Sequence, residues 1–204
     1  MSDRELPSVP ALLGLSLRDP KATVAVIRAL GIPLHAAWMA LALSVILGTL
    51  LATMSAGVAT TDLPQDDEYA AILMLFGNPM ILAAMQGGLL ALGTVFLHKV
   101  AERMGGRGEL SDAVAISAWL QFVLVCIQAI QALLLPVAPG LSGLLGLAAV
   151  LIFFWLLAQF GTALYGFGSP WLVLGGAMTA LLFLAVGMAI LYAILILFIG
   201  GVPA

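Results

Sequence analysis

The segment "LHAAWMALALSVILGTLLATMSA", residues 34–56, decides the fold of this chain. It contains no charged residue, and a helix needs about 20 apolar residues to cross roughly 30 Å of hydrocarbon. The whole chain has the same character, since 63% of its residues are hydrophobic and only 8% are charged, against roughly 25% charged in soluble domains. The sequence therefore predicts an integral membrane protein whose first span is residues 34–56.

Four further apolar segments are long enough to span a bilayer. Proline precedes or starts the second and fifth segments, at Pro79 and Pro170, and separates the third from the fourth, at Pro136 and Pro139, because it lacks a backbone N–H and suits the first helical turn but not a helix interior. The sequence thus predicts an all-α polytopic protein, with a membrane domain over residues 34–199 that forms a bundle of five transmembrane helices. After the first span, these are predicted at residues 79–97, 113–135, 141–160 and 171–199.

The amino-terminal segment, residues 1–33, is predicted to be cytoplasmic and to contain a short amphipathic helix at about residues 20–30. Asp19 is a suitable N-cap, Pro20 suits the first turn and Gly31 suits termination. The pattern fits a helix in the headgroup layer as well as a helix packed on the bundle. For the apolar residues 69–77, three interpretations stay open: a re-entrant turn, an interfacial helix or part of the second span.

The basic residues predict the orientation of the chain. Four of them precede the first span and three lie between the second and third spans, whereas residues 113–204 carry no charge. Because short cytoplasmic loops carry the excess of Lys and Arg, the amino terminus is predicted to be cytoplasmic and the carboxyl terminus periplasmic. The residues expected to set this topology and contact lipid headgroups are Arg18, Lys21, Arg28, Lys99, Arg103 and Arg107.

A stripe of polar side chains on the third span is the main candidate for contacts inside the membrane. Its members project within about 80° of one another at 100° per residue. Amides in hydrocarbon seek partners, so the stripe predicts hydrogen bonds between helices, a docking surface for another subunit, or the lining of a polar path. The candidate residues are Ser117, Gln121, Gln128 and Gln131 of the stripe, together with Gln86 in the second span and Gln159 in the fourth.

Several classes of chemistry find no support in the sequence. No Asp, Glu, Lys or Arg lies in the core of a predicted span, which disfavours proton pumps and ion-coupled transporters. The charged loop "HKVAERMGGRGELSD", residues 98–112, lacks the Lys-Ser/Thr pair of a phosphate-binding loop. The acidic residues near His98 lack a second His, so no metal ligands are assigned. No catalytic residue, cofactor or nucleic-acid partner is expected.

Three stretches carry a family resemblance: "LRDPKATVAVIRALGIP" leading into "AAWMALALSVILGTLL", then "MGGRGELSDAVAISAWLQF", then "YGFGSPWLVLGGAMTALLFLAVG". Over about residues 17–199 the chain resembles small bacterial members of the Yip (Ypt-interacting protein) family. The resemblance implies a cytoplasmic amino terminus, five spans and a carboxyl terminus on the far side. Eukaryotic relatives act in vesicle transport and contact small GTPases through a longer acidic region that has no clear counterpart here, so no GTPase partner is expected.

The function predicted from these observations is non-enzymatic. The chain is expected to act in a bacterial inner (plasma) membrane as a scaffold or accessory subunit for other membrane proteins, or in membrane organisation. Its expected partners are the lipid bilayer and other integral membrane proteins or further copies of itself. The alternative is a transport component for a small or lipidic substrate that uses the Gln-lined face of the third span.

Overall fold

A computed structural model describes residues 8–59 and 78–199, and these residues form helices without any strand. The all-α class predicted from the sequence is therefore confirmed. The helices of the described residues are α1 (Val9–Arg18), α2 (Pro20–Ala29), α3 (Leu34–Ala59), α4 (Pro79–Arg103), α5 (Leu110–Leu134), α6 (Pro139–Tyr165) and α7 (Pro170–Ile199). Residues 69–77, for which three interpretations stayed open, lie outside the described residues.

The long helices have the length and composition of membrane spans. Four of them, α3 to α6, are long and apolar enough to cross a membrane. The fifth, α7, has 30 residues and no charged residue in its sequence. At 1.5 Å per residue α7 is about 45 Å long, so it must tilt or extend past a hydrocarbon core of roughly 30 Å. This architecture is that of a helical membrane bundle.

Two helices, α4 and α6, end several residues later than the apolar segments that predicted them. The second predicted span ends at residue 97, whereas α4 runs on to Arg103; the fourth ends at residue 160, whereas α6 runs on to Tyr165. Hydropathy indicates which part of a helix lies in lipid. The helical backbone hydrogen bonds continue past that part until a residue allows the chain to turn. Left-handed glycines provide that turn at Gly105 (φ 87°) and Gly166 (φ 74°).

The starts of α2 and α4 follow the capping chemistry of the sequence. The Asn78 side chain accepts hydrogen bonds from the backbone N–H groups of Met80 and Ile81 at the start of α4. Asp19 does the same for Ala22 at a distance of 3.0 Å at the start of α2. Each cap precedes a proline at the first helical position, where the missing N–H costs no hydrogen bond.

The helix α1 was not predicted from the sequence. Its apolar run is too short to span a membrane, and it is stabilised by packing on α2 and by a hydrogen bond from Trp119 of α5. Leu12 and Ser16 are buried, with Ser16 wholly inaccessible to solvent. Tertiary contacts thus decide the structure of a segment whose local sequence pattern is weak.

The helix α5 lies at the centre of the bundle, where it packs against α2, α3, α4 and α6. Half of its most apolar 18-residue window is buried inside the protein, whereas the corresponding share for α4 is 6%. The core side chains include Val114 on α5, Val24 on α2 and Phe160 on α6, each no more than 2% exposed. The amino-terminal helices are therefore part of the core.

Candidate functional surfaces at the basic end and along the polar helix contacts

The amino-terminal helices and two loops of the bundle meet at one end of the molecule. The Arg28 guanidinium on α2 binds the Asp112 carboxylate near the start of α5, and the backbone N–H of Arg107 donates to the carbonyl of Tyr165. We call this end, formed by residues 8–33, 98–112 and 165–170, the basic end. All Lys and Arg of the described residues lie there: Arg18, Lys21, Arg28, Lys99, Arg103 and Arg107.

Two polar contacts hold the amino-terminal helices on the bundle. Arg28 Nε lies 2.9 Å from Asp112 Oδ2, with the Arg28 side chain 45% exposed and the Asp112 side chain 18% exposed. Trp119 Nε1 donates to Ser16 Oγ at 2.8 Å, and the Ser16 hydroxyl donates in turn to the Leu12 carbonyl. The helix α2 packs on α5 and α6.

Four expected headgroup residues are exposed at the basic end. Arg18 lies in the last turn of α1, and Arg103 is the last residue of α4; cations at these positions complement the partial negative charge of a helix carboxyl terminus. Lys21 and Arg107 are exposed near the starts of α2 and α5. The sixth expected residue, Lys99, is paired within its own helix.

A buried histidine joins α4 to α6 at this end. His98 is 3% exposed; its Nδ1 lies 3.1 Å from the Tyr165 hydroxyl and its Nε2 lies 3.2 Å from Glu102 Oε1. Each ring nitrogen of His98 thus has a hydrogen-bonding partner, Tyr165 at Nδ1 and Glu102 at Nε2. Lys99 Nζ donates to the other oxygen of Glu102 at 2.8 Å. The chain of hydrogen bonds from Tyr165 through His98 therefore ends at an exposed ion pair.

No sequence pattern predicted a contact between helices for Ser16, Trp119 or Tyr165. The partners Ser16 and Trp119 are 103 positions apart, and His98 and Tyr165 are 67 apart. No local pattern links positions so distant in the chain. The one available signal is chemical, because a Trp N–H or Tyr O–H near a span end usually finds a partner when it is buried.

The acidic residues near His98 do not come together as a metal site. Glu102 contacts His98 and Lys99, whereas Asp112 binds Arg28 on another helix. Within residues 8–59 and 78–199, no three His, Cys, Asp or Glu side chains are arranged to hold a metal ion. The charged loop thus makes structural contacts between helices and presents its remaining charges to the surroundings.

The polar stripe of α5 divides between three neighbouring helices. Ser117 Oγ accepts from Thr94 Oγ1 of α4 at 3.2 Å. Toward α6, Gln131 Nε2 donates to the Ser142 carbonyl at 3.2 Å, and the Ser142 hydroxyl donates to the Gln131 carbonyl at 3.1 Å. The two remaining amides face α3, so the stripe is shared among helix contacts.

The contact with α3 is centred on Gly48. A Cβ atom at Gly48 would lie 3.2 Å from Gln128 Oε1 and 3.4 Å from Gln121 Nε2. The two amides therefore lie against the backbone of α3 because glycine leaves room for them. Gln121 is 7% exposed, which makes it the most deeply buried amide of the stripe.

The two amides outside the stripe differ from each other. Gln86 Oε1 on α4 accepts from Thr49 Oγ1 of α3 at 3.3 Å, and Thr49 is 2% exposed. Gln159 on α6 is half-buried and forms no hydrogen bond with the part of the chain that the structure describes. Hydrogen bonds between helices thus involve Gln86, Ser117 and Gln131 among the six candidates.

A cavity of about 80 Å³ lies between α4, α5, α6 and α7 and reaches the basic end at Met104 and Phe167. Most of its walls are apolar, and the hydroxyls of Thr94, Ser117 and Tyr165 are its polar features. Because these hydroxyls already bond to Ser117, Thr94 and His98 respectively, the cavity offers few free polar groups for recognition.

Comparison with known proteins identifies a family but no individual relative. The family model described as the Yip1 domain matches residues 14–194, a range that includes all of α2 to α6 and most of α7. Searches of curated proteins and of solved structures each return no match. The match extends over most of the chain and agrees with the resemblance found in its sequence, and the chain therefore belongs to the Yip1 domain family of membrane proteins.

Proposed function

We propose that this protein is a non-enzymatic scaffold or accessory subunit of a bacterial inner membrane, and that its basic end binds other integral membrane proteins or further copies of the chain. The observation that carries the proposal is the fixed position of α1 and α2 on the bundle. Buried side chains, the Ser16–Trp119 hydrogen bond and the Arg28–Asp112 ion pair hold these two helices in place. A surface that is ordered before binding loses less entropy when a partner docks.

The charges of the basic end support a recognition role. Arg18, Lys21, Arg103 and Arg107 are exposed, whereas no Asp, Glu, Lys or Arg of the described residues is buried in the bundle. An excess of exposed cations steers acidic partners toward a surface and disfavours the binding of cationic ones. The chemistry of the surface therefore suits an acidic partner segment or an anionic membrane surface.

The proposed orientation has the basic end in the cytoplasm, because Lys and Arg concentrate on that side of membrane proteins. With five crossings, the carboxyl terminus is then periplasmic. Carboxyl-terminal fusions to alkaline phosphatase and to green fluorescent protein test this orientation. Phosphatase activity without fluorescence is expected, and fluorescence without phosphatase activity would contradict the assigned sides.

The contacts of the amides support a structural role for the polar stripe over the transport alternative. A polar path needs side chains that face an open route across the bundle. Ser117 and Gln131 instead bond to α4 and α6, and Gln121 and Gln128 lie against Gly48 of α3. Hydrogen bonds of this kind stabilise helix association in lipid by about 0.6 to 2 kcal/mol each.

Purification of the tagged full-length protein in mild detergent, followed by mass spectrometry, tests the scaffold role. A specific integral membrane partner, or a defined oligomer of the chain, is expected to co-purify. The double variant Arg103→Gln/Arg107→Gln should reduce recovery of the partner, because it removes two exposed cations from the binding surface.

The matched control is Arg103→Lys/Arg107→Lys, which keeps both charges and should retain the partner. The topology fusions are repeated on both variants, so that a change in orientation is not mistaken for a loss of binding. If several mild detergents yield only the monomeric protein, the proposed scaffold role is wrong.

A further inference from the structure

A second cavity, of about 300 Å³, lies beneath the amino-terminal helices. We call it the N-terminal groove; α1 and α2 form one wall, and α3 and α5 form the other. The side chains that line it are apolar except for Ser44 and the indole N–H of Trp119. Both polar groups already have partners, since Ser44 donates to the Ala40 carbonyl and Trp119 donates to Ser16.

These walls select an apolar occupant. A buried water needs two to four polar partners, so an apolar cavity of this kind favours hydrocarbon over water. The volume of 300 Å³ falls within the roughly 300–1,000 Å³ range of ligand pockets. Along α3 the groove extends from Ala37 to Ser44, which is about 10 Å of helix. A chain lying in it would run from the start of a membrane span toward the hydrocarbon core.

A polar cavity of about 880 Å³ adjoins the groove, and Ile32 lines both. The charged side chains of the polar cavity are Arg28, Glu109 and Asp112. The apolar groove meets the polar cavity at the start of a membrane span. A phospholipid has the same two parts, because its headgroup joins its acyl chains where the span enters the hydrocarbon.

The charges of the polar cavity specify the headgroup. Arg28 uses Nε to bind Asp112, and a guanidinium has four further N–H donors for a phosphate. The polar cavity contains one cation and two carboxylates. Because Arg28 pairs with Asp112, no cation of the cavity balances the charge of Glu109. A headgroup that carries an ammonium together with its phosphate balances this set better than an anionic headgroup.

We propose that the N-terminal groove and the polar cavity together bind one aminophospholipid from the leaflet at the basic end. One acyl chain lies in the groove between α1 and α3. The phosphate binds Arg28, and the ammonium binds Glu109. This lipid site is independent of the proposed scaffold role, because it needs no protein partner.

Native mass spectrometry of the full-length protein tests the site. The protein is reconstituted in nanodiscs with equal amounts of phosphatidylethanolamine and phosphatidylglycerol, then released into mild detergent. One phosphatidylethanolamine per chain is expected to remain bound, in preference to phosphatidylglycerol by about tenfold, as for a hydrogen bond to a charged group.

The variant Ala40→Phe tests the groove, because Ala40 lines it and a phenyl ring there would occupy the space of the acyl chain. The matched control is Ala42→Phe, an exposed position of the same helix outside the lining of the groove. Retained lipid should fall several-fold in Ala40→Phe and stay at the wild-type level in Ala42→Phe. Thermal unfolding of both variants checks that the fold is kept.

The variant Glu109→Gln tests the headgroup without altering the groove. It should lower the preference for phosphatidylethanolamine toward equal retention of the two lipids, whereas Glu102→Gln, which removes a carboxylate outside the polar cavity, should keep the preference. Equal retention of the two lipids by the wild-type protein would overturn the assigned headgroup. No lipid retained by the wild-type protein, or equal lipid in Ala40→Phe and wild type, would overturn the site itself.

Discussion

The helices α4 and α5 have the same length and similar hydropathy but very different surroundings. Each has 25 residues, and their mean hydropathies are close. Yet half of the most apolar window of α5 is buried inside the protein, against 6% for α4. The helix α5 contacts four other helices, whereas α4 lies at the edge of the bundle beside α3, α5 and α7.

Hydropathy therefore identifies a membrane span but not the helices that lie beside it. Lipid and protein interior are equally apolar, so close packing and hydrogen bonds decide which helix lies at the centre. The amides and Ser117 of α5 meet partners or a glycine on adjacent helices. The glycines of α4 contribute less, because a Cβ at Gly88 or Gly93 would have no heavy atom within 4 Å.

Shortening a buried leucine of α5 is expected to lower the stability more than shortening an exposed leucine of α4. Leu120 on α5 is 6% exposed and Leu92 on α4 is 61% exposed. We expect Leu120→Ala to lower the free energy of unfolding by about 2 kcal/mol. This is the low end of the range for buried leucines, because apolar lipid surrounds the leucine side chain in the unfolded state and burial in the bundle adds mainly packing contacts. Leu92→Ala should change it little. Reversible unfolding in mixed detergent and dodecyl sulfate measures both; similar losses would contradict the assigned burial.

The next effect tests the close contact between α3 and α5. At Gly48 a Cβ would lie 3.3 Å from Val125 Cγ2 and 3.2 Å from Gln128 Oε1, whereas at Gly88 no heavy atom lies within 4 Å. We expect Gly48→Leu to cost about 1–2 kcal/mol by overpacking, with some relief from rotation of the Gln128 amide. The same unfolding assay applied to Gly88→Leu should show no loss. A tolerated Gly48→Leu would mean that α3 and α5 lie farther apart.

The sequence predicts the elements of this fold better than their arrangement. Composition and apolar length identify the long helices, and Asn78-Pro79 and Asp19-Pro20 correctly mark two helix starts. The order of helices around α5 could not be predicted, because every span satisfies the same apolar criterion. The helix α1 was missed since contacts such as Ser16–Trp119, 103 positions apart in the chain, stabilise it.

The polar residues of the spans can be found in the sequence, but their hydrogen-bond partners cannot. A polar side chain in a predicted span is easily found, and its need for a hydrogen bond follows from the surrounding hydrocarbon. The helical projection placed Ser117 and Gln131 on one face of α5, yet the structure pairs them with α4 and α6 respectively. Which neighbour lies beside each residue depends on helix crossing, and no feature of a single sequence reports that crossing.

A smaller effect is expected from removing one hydrogen bond between helices. Gln131 Nε2 donates to the Ser142 carbonyl on α6, while Gln159 forms no hydrogen bond within the described residues. We expect Gln131→Leu to lower the free energy of unfolding by about 0.6 kcal/mol, the average for such bonds in lipid. Gln159→Leu, a matched change on α6, should leave the unfolding curve in place. Equal effects would indicate that the amide of Gln131 is not bonded to α6.

The smallest effect concerns the ion pair that ties α2 to the central helix. Arg28 and Asp112 lie 2.9 Å apart but are 45% and 18% exposed, so water and salt weaken their attraction. A double-mutant cycle with Arg28→Gln and Asp112→Asn should give a coupling energy of about 0.2–0.5 kcal/mol that declines as salt rises. The same cycle on Lys99 and Glu102, a pair within α4 whose side chains are 62% and 42% exposed, should show a smaller coupling because water screens both groups more fully. A coupling that is large and insensitive to salt would show instead that Arg28 and Asp112 are shielded from solvent, and that the amino-terminal helices are held mainly by charge.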